Sequence, residues 1–249
     1  RGAVISVVRQ TFSDWELLVL DDGSTDGAVE GIADITDPRI RVIRDGENHG
    51  LAARLNQAVS LARGKYFART DQDDICHPER FERQLAYLAA HPETDLLGTK
   101  CVTIDEGGEI NGLLPFAAEH EALCRRPWTG FYIPHPTWMG PLAWFKKHGY
   151  ASPGPYFCED QELLLRSHKE SRFHVLAEPL LAYRMPGRWR WGKRLRTRTT
   201  LLQIQVAHFA ARGQYLFAVL AVLATATRIL RDLIAAAGLA GRPGVQKLE

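Results

Sequence analysis

Ala68-Arg69-Thr70-Asp71-Gln72-Asp73-Asp74, with Pro78-Glu79-Arg80 just beyond it, is the stretch that decides the fold. Before it, Lys65-Tyr66-Phe67-Ala68 has the character of a short buried strand. After it, residues 78–90 predict a helix, with Pro78 suited to a first turn. Three carboxylates therefore fall on a loop at the C-terminal end of a strand, where open α/β sheets hold their ligands. So much negative charge in one loop is unfavourable without a positive counterpart. A divalent cation carrying a diphosphate meets that need, because hard cations take oxygen ligands. A plainer reading has Asp74 capping the helix that follows.

A second acidic loop lies upstream. Glu16-Leu17-Leu18-Val19-Leu20 reads as a central parallel strand, and it ends in Asp21-Asp22-Gly23-Ser24-Thr25-Asp26. Residues 28–35 then predict a helix. A plain strand-to-helix turn accounts for Gly23 and for a cap from Ser24, Thr25 or Asp26. It does not account for Asp21 and Asp22 side by side, where a carboxylate can accept from a nucleobase N–H or a ribose hydroxyl. Between the loops come a strand over 40–43, a turn at Asn48-His49-Gly50, and a helix over 51–61 carrying Arg54 and Asn56. That order argues for a nucleotide-binding α/β sheet.

Gln10-Thr11-Phe12-Ser13-Asp14-Trp15-Glu16 running into Asp21–Asp26, Asn48-His49-Gly50-Leu51-Ala52, and the Asp71–Asp74 loop with Pro78-Glu79-Arg80 form an ordered set. His135-Pro136-Thr137, Gly149-Tyr150, Glu159-Asp160 and Tyr183-Arg184 extend it. Over residues 3–184 the set resembles the family-two inverting glycosyltransferases of the GT-A fold, of the bacterial surface-polysaccharide type. The resemblance implies a GT-A-like nucleotide-binding open α/β sheet flanked by helices over residues 1–186, followed by a helical extension over 187–249.

The resemblance also implies roles. Asp22 contacts the nucleoside base, with Asp21 and Arg54 beside it at the nucleotide. Asp71 lies near the ribose and beside the metal, and Asp73 ligates the Mg²⁺ or Mn²⁺ that bridges the donor diphosphate as a Lewis acid. Asp74 assists the metal or caps a helix. Asp160 is the general base for the acceptor hydroxyl, with Glu159 and His135 in support. A free aspartic acid titrates near pH 4, so such a base needs an environment that raises it. Without the family, Glu159 and Asp160 would read as favourable charges at a helix N-terminus. Trp128, Trp138 and Tyr156 suit either sugar stacking or core. The implied partners are a nucleoside-diphosphate sugar, UDP-sugar favoured, and a glycan or lipid-linked acceptor, in hexosyl transfer.

Two departures from the family stand out. Where relatives open on a strand, residues 1–9 predict a helix, so the first strand is expected to be missing. After Tyr183-Arg184, Pro186 replaces a family His, leaving Arg184, Arg188 or Lys193 for the phosphates. A non-catalytic sugar-nucleotide module and a nucleotidyltransferase are the alternatives. The latter lacks the Gly-rich phosphate loop such enzymes often carry.

The 249 residues, 45% hydrophobic and 24% charged, fit one globular unit with an extension. A net charge of +2 hides an asymmetry: residues 1–178 carry 19 Lys and Arg against 27 Asp and Glu, whereas 179–231 carry ten and no acid. The densest part, Arg188-Trp189-Arg190-Trp191-Gly192-Lys193-Arg194, interleaves Trp with cations. That suits an anionic membrane surface, at about 1 kcal/mol per cation near it, or nucleic acid. The apolar run 215–227 stops short of the ~20 residues a bilayer needs. An interfacial helix is therefore expected, with no nucleic-acid partner and a peripheral place on the cytoplasmic face of the membrane. A helix packed on the domain is the alternative. Cys76, Cys101, Cys124 and Cys158 lack metal-ligand spacing, in keeping with a reducing cytoplasm. The end, 237–249, reads as frayed.

Overall fold

The computed structural model describes residues 1–185 and 191–236. Helix α1 (Gly2–Val8) precedes β1 (Leu17–Leu20) and β2 (Ile40–Ile43), which pair in parallel. Next come α2 (Leu51–Leu61), β3 (Tyr66–Ala68), β4 (Ile75–Cys76) and α3 (Arg80–Ala90). The spine is β5 (Leu96–Ile104), followed by β6 (Ile110–Leu113), α4 (His120–Cys124), β7 (Met139–Pro141) and α5 (Leu142–His148). Helix α6 (Glu159–Ser167), the long β8 (Phe173–Arg184), and α7 (Trp191–Ala210) with α8 (Tyr215–Ala236) complete the described chain. The larger sheet is mixed, in the order β3-β7-β5-β8-β4, with β6 on β5.

Strand β5 runs through the middle of the molecule, and seven of its nine residues are buried. A strand covered on both faces needs such a near-continuous apolar and small-residue run. Phe67, Leu96, Trp138, Phe145, Leu163, Leu164 and Phe173 pack together around it. The motif regions are fastened to this frame by their own polar residues. Gln10 donates to His77 O at 2.8 Å and accepts from Phe81 N at 2.9 Å, tying α1 to α3.

Three expectations change. The Glu16–Leu20 run is not a central strand: among the described residues β1 pairs only with β2 and is half-buried along its length. Residues 28–35 form no α-helix, only a 3₁₀ turn at Glu30–Ile32. Gly27, at φ 74°, and Gly31 weaken the segment, since each glycine costs a helix about 1 kcal/mol. Trp138 is wholly buried core, its indole N–H bonded to Ile133 O at 3.2 Å, and so is unavailable to a sugar.

The tail helices both pack on the domain and keep an apolar outer face. Helices α7 and α8 form a hairpin through a four-residue connection. Its inner side buries Phe209, Ala221, Gln205 and Asp232. Trp128 meets Phe217 with centroids 4.9 Å apart, and Gln205 donates to Pro127 O at 3.1 Å. On the outer side Leu216, Val219, Leu223, Leu230 and Leu233 are exposed, at the three-and-four spacing of one helical face. Among the described residues no helix is long and apolar enough to cross a membrane. Pro186, Arg188, Trp189 and Arg190, with residues 237–249, lie outside the described residues.

Candidate active site

The Asp71–Asp74 loop leaves β3 and is held at both ends. At its start, Arg69 N donates to Trp138 O at 2.9 Å. The wholly buried Arg80 donates to Arg69 O at 2.7 Å, to Cys76 Sγ at 3.2 Å and to Gln84 Oε1 at 3.0 Å. At its far end, the backbone N–H of Arg184 donates to Asp74 Oδ1 at 2.8 Å. The Arg184 guanidinium spans Asp73 O at 3.0 Å and Asp105 O at 2.6 Å. Arg184 thus clamps the loop.

The three carboxylates occupy three environments. Asp74 is 1% exposed, and burial pushes its acid up to about 7; Asp71 and Asp73 nearby add to the shift. Its Oδ2 finds no partner among the described residues, and α3 receives no side-chain cap, so Asp74 is no cap for that helix. Asp71 is engaged by both terminal nitrogens of buried Arg69, Nη1 at 2.9 Å from Oδ2. Asp73 is exposed, and its carboxylate has no partner among the described residues.

The expected unbalanced charge is therefore partly balanced from within. Arg69, which the sequence reading passed over, supplies a fixed cation two residues from Asp71. The signal was present: an arginine placed between strand and carboxylates by the same short segment. Among the described residues no three His, Cys, Asp or Glu side chains converge on a metal position. A small cation that bridges substrate phosphates needs only one or two carboxylates from the protein, and Asp73 fits that part.

In the upstream loop Asp21 is buried, and its Oδ1 accepts from Ser24 N at 3.0 Å; the Ser24 side chain and then this backbone N–H hold its carboxyl below the ordinary range. Gly23 sits at φ 78°, where a Cβ would meet the Glu47 backbone at 3.1 Å, so the turn demands glycine. Asp22 accepts from His49 N at 2.7 Å, Gly50 N at 3.1 Å and Arg54 Nε at 3.1 Å, fastening the turn that leads into α2 to the upstream loop. Arg54 is buried and also bonds Asp45, Gln57 Oε1 and Glu47 O. With its donors spent inside the protein, Arg54 holds Asp22 and Asp45 in place rather than contacting a nucleotide.

The carboxylate pair heading α6 lies beside Arg69 electrostatically. Glu159 is buried, and burial followed by the adjacent Asp160 pushes its acid up to about 7. Burial likewise raises Asp160, which accepts from Gln161 Nε2 at 3.2 Å. Gln161 also bonds Phe131 through both N–H and C=O, fixing the 127–131 loop to this helix. His135 is buried, with Nε2 2.9 Å from Tyr150 Oη and Nδ1 3.8 Å from Glu159 Oε1. Burial and the Arg69 charge keep its imidazole neutral, a supporting group at the pair. An apolar groove lined by Val4, Val29, Ile32, Ile35, Ile40 and Val42 offers nothing comparable for chemistry.

A flanked α/β sheet with acidic loops after β1 and β3, and a carboxylate pair opening a later helix, defines the GT-A class of fold. The model of Glycosyl transferase family 2 matches residues 1–149, and the chain belongs to that family. An uncharacterized glycosyltransferase of Methanocaldococcus jannaschii is 30% identical over 79% of this chain and 69% of its own length. The protein EpsE of Bacillus subtilis is 40% identical over 43% of this chain, a match spanning 39% of that protein. WfgD of Escherichia coli, a UDP-Glc:α-D-GlcNAc-diphosphoundecaprenol β-1,3-glucosyltransferase, is 34% identical over 35% of this chain and 34% of its own. The fold likeness extends to S. aureus TarS 1–349 in complex with UDP-GlcNAc, at a TM-score of 0.60 and 20% identity over 84% of this chain and 61% of that one.

Proposed function

We propose that the protein is an inverting glycosyltransferase that moves a sugar from a nucleoside-diphosphate donor, UDP-sugar favoured, to a hydroxyl of a glycan or lipid-linked acceptor in surface-polysaccharide assembly. The observation that carries it is the contrast between two carboxylate environments, one in the Asp71–Asp74 loop and one at the start of α6. Asp73 is exposed and, among the described residues, unpartnered, whereas Glu159 and Asp160 are pushed toward neutrality by burial. One suits a cation, the other a proton. The polysaccharide setting is supported by relatives such as the amylovoran glycosyltransferase AmsE of Erwinia amylovora, and the donor by the UDP-glucose specificity in the name of WfgD.

In this reading Asp73 would hold a Mg²⁺ or Mn²⁺, which when bound would supply Lewis-acid stabilisation of the leaving group. Asp71, fixed by Arg69, takes the ribose; Asp21 and Asp22 shape the base-binding loop. Asp160 accepts the proton of the acceptor hydroxyl as that oxygen attacks the anomeric carbon. The bond to the diphosphate oxygen breaks on the opposite face, which inverts the centre. Two neighbouring carboxyls resist double ionisation, so a protonated Glu159 leaves the anionic form to Asp160. The outer stripe of α8 beside a basic α7 supports a peripheral position on the inner membrane face.

Screening sugar nucleotides for Mn²⁺-dependent release of nucleoside diphosphate tests the proposal. Asp73→Asn is expected to abolish metal-dependent donor turnover, while Asp160→Asn keeps donor affinity and loses transfer. Release of pyrophosphate instead would mean nucleotidyl transfer. Full transfer by either variant would overturn its role.

A further inference from the structure

We propose that Tyr156, Phe157, Lys193 and Arg196 form a subsite for the phosphate-bearing part of a saccharide acceptor, next to the carboxylates that open α6. This rests on the transferase reading and assigns the acceptor chemistry to named residues. The rings of Tyr156 and Phe157 meet edge to face, centroids 4.5 Å apart at 83°. Lys193 Nζ stands 3.8 Å from the Phe157 centroid, and Arg196 Cζ stands 3.9 Å from that of Tyr156. Lys193 and Arg196 are three residues apart on α7 and so share a face. Two aromatic rings, each topped by a cation, therefore stand as one cluster.

The cluster is held in place, and among the described residues its cations are uncommitted to any acid. Cys158, buried, donates from Sγ to Thr197 O at 3.5 Å, joining this loop to α7. Phe157 adopts φ 47°, a backbone region bulky residues occupy only where the surroundings impose it, and half its surface stays exposed. The neighbouring Arg194 and Arg198 are both spent on Asp232. Among the described residues no carboxylate pairs with Lys193 or Arg196. A guanidinium stacked on a ring still presents its N–H edges, the geometry that grips a phosphate.

Position supplies the rest. Phe157 is three residues from Asp160, at most about 11 Å along even a fully extended chain. An acceptor held at Phe157 is therefore anchored close to the proposed base, Asp160. Residues 1–178 carry a net negative charge, and the Asp71–Asp74 loop concentrates it, so an anionic acceptor needs local cations to approach. A neutral glycan would need the rings alone.

The test is calorimetry on the full chain with UDP and Mn²⁺ present, titrating three probes. These are an octyl-diphosphate-linked hexose, a saccharide phosphodiester oligomer and the matching octyl glycoside. The wild type should prefer a phosphorylated probe over the glycoside by about tenfold. Lys193→Met and Arg196→Gln should each erase that preference while leaving glycoside and UDP affinity within about twofold. Which phosphorylated probe wins distinguishes a lipid diphosphate from a polymer phosphate. A wild type without preference, or a preference that survives both substitutions, overturns the assignment. So does UDP affinity falling in step, which would give the cations to the donor. Phosphate preference without any UDP binding would instead sink the transferase reading and leave this subsite standing.

Discussion

At the residue scale, Glu159 is the group whose titration reports on the site. Its folded-state pKa of about 7 lies above the ordinary value of 4.5, so the folded protein keeps a proton that the unfolded chain releases. Stability from this group is fully present below pH 4.5 and is lost as pH rises through about 7. Glu159→Gln should flatten that slope and leave the variant more heat-stable than wild type at pH 8, by about 1–3 kcal/mol. Melting curves at pH 5 and pH 8 check it; equal slopes for both proteins would refute it. Asp160→Asn should lower transfer by about 10²–10⁴, the usual worth of a general base, with little change in UDP affinity measured by calorimetry. The carboxylates themselves were legible from the sequence, because acids at strand and helix ends mark ligand positions whatever the packing. The cations were not. Arg69, Arg80 and Arg54 look like ordinary charged residues until burial and partners are known, and only the fold supplies those.

At the element scale, the α2, α6 and α8 regions were readable from apolar spacing, and the helix over 51–61 has the bounds the pattern predicted. Strand β1 misled, because an apolar run does not reveal how many neighbours a strand will find. The 28–35 segment misled because a helix is the usual sequel to a strand-end loop, and Gly31 weakens it there. The hairpin rests on one group that no periodicity exposes. Asp232, the first acid after a long basic stretch, is buried with Oδ1 3.3 Å from Arg194 and Oδ2 3.3 Å from Arg198. Asp232→Ala removes the buried carboxylate that Arg194 and Arg198 share and should cost about 3 kcal/mol. Limited proteolysis between α7 and α8 should then run markedly faster, while Asp232→Glu should restore part of the protection. Unchanged cleavage would show that apolar packing at Phe209 and Ala221 suffices alone.

At the scale of the whole molecule, acid and base are segregated along the chain: acidic residues prevail over 1–178, and the hairpin that follows is basic and apolar-edged. The outer stripe of α8 should carry the protein to anionic vesicles. Leu223→Glu with Leu230→Glu should abolish flotation with phosphatidylserine-containing liposomes while the melting temperature holds, since both side chains are exposed. Retained flotation would remove the stripe from that role.

The inner side of the same hairpin carries a separate consequence. Gln205 grips Pro127, Arg228 reaches the carbonyl of Thr129, and Phe217 covers Trp128. Excising residues 187–236 would strip the roof from this loop and expose a greasy seam. The shortest version of the protein able to fold autonomously therefore has to retain both tail helices, and expression trials that trim them should yield inclusion bodies rather than a minimal enzyme.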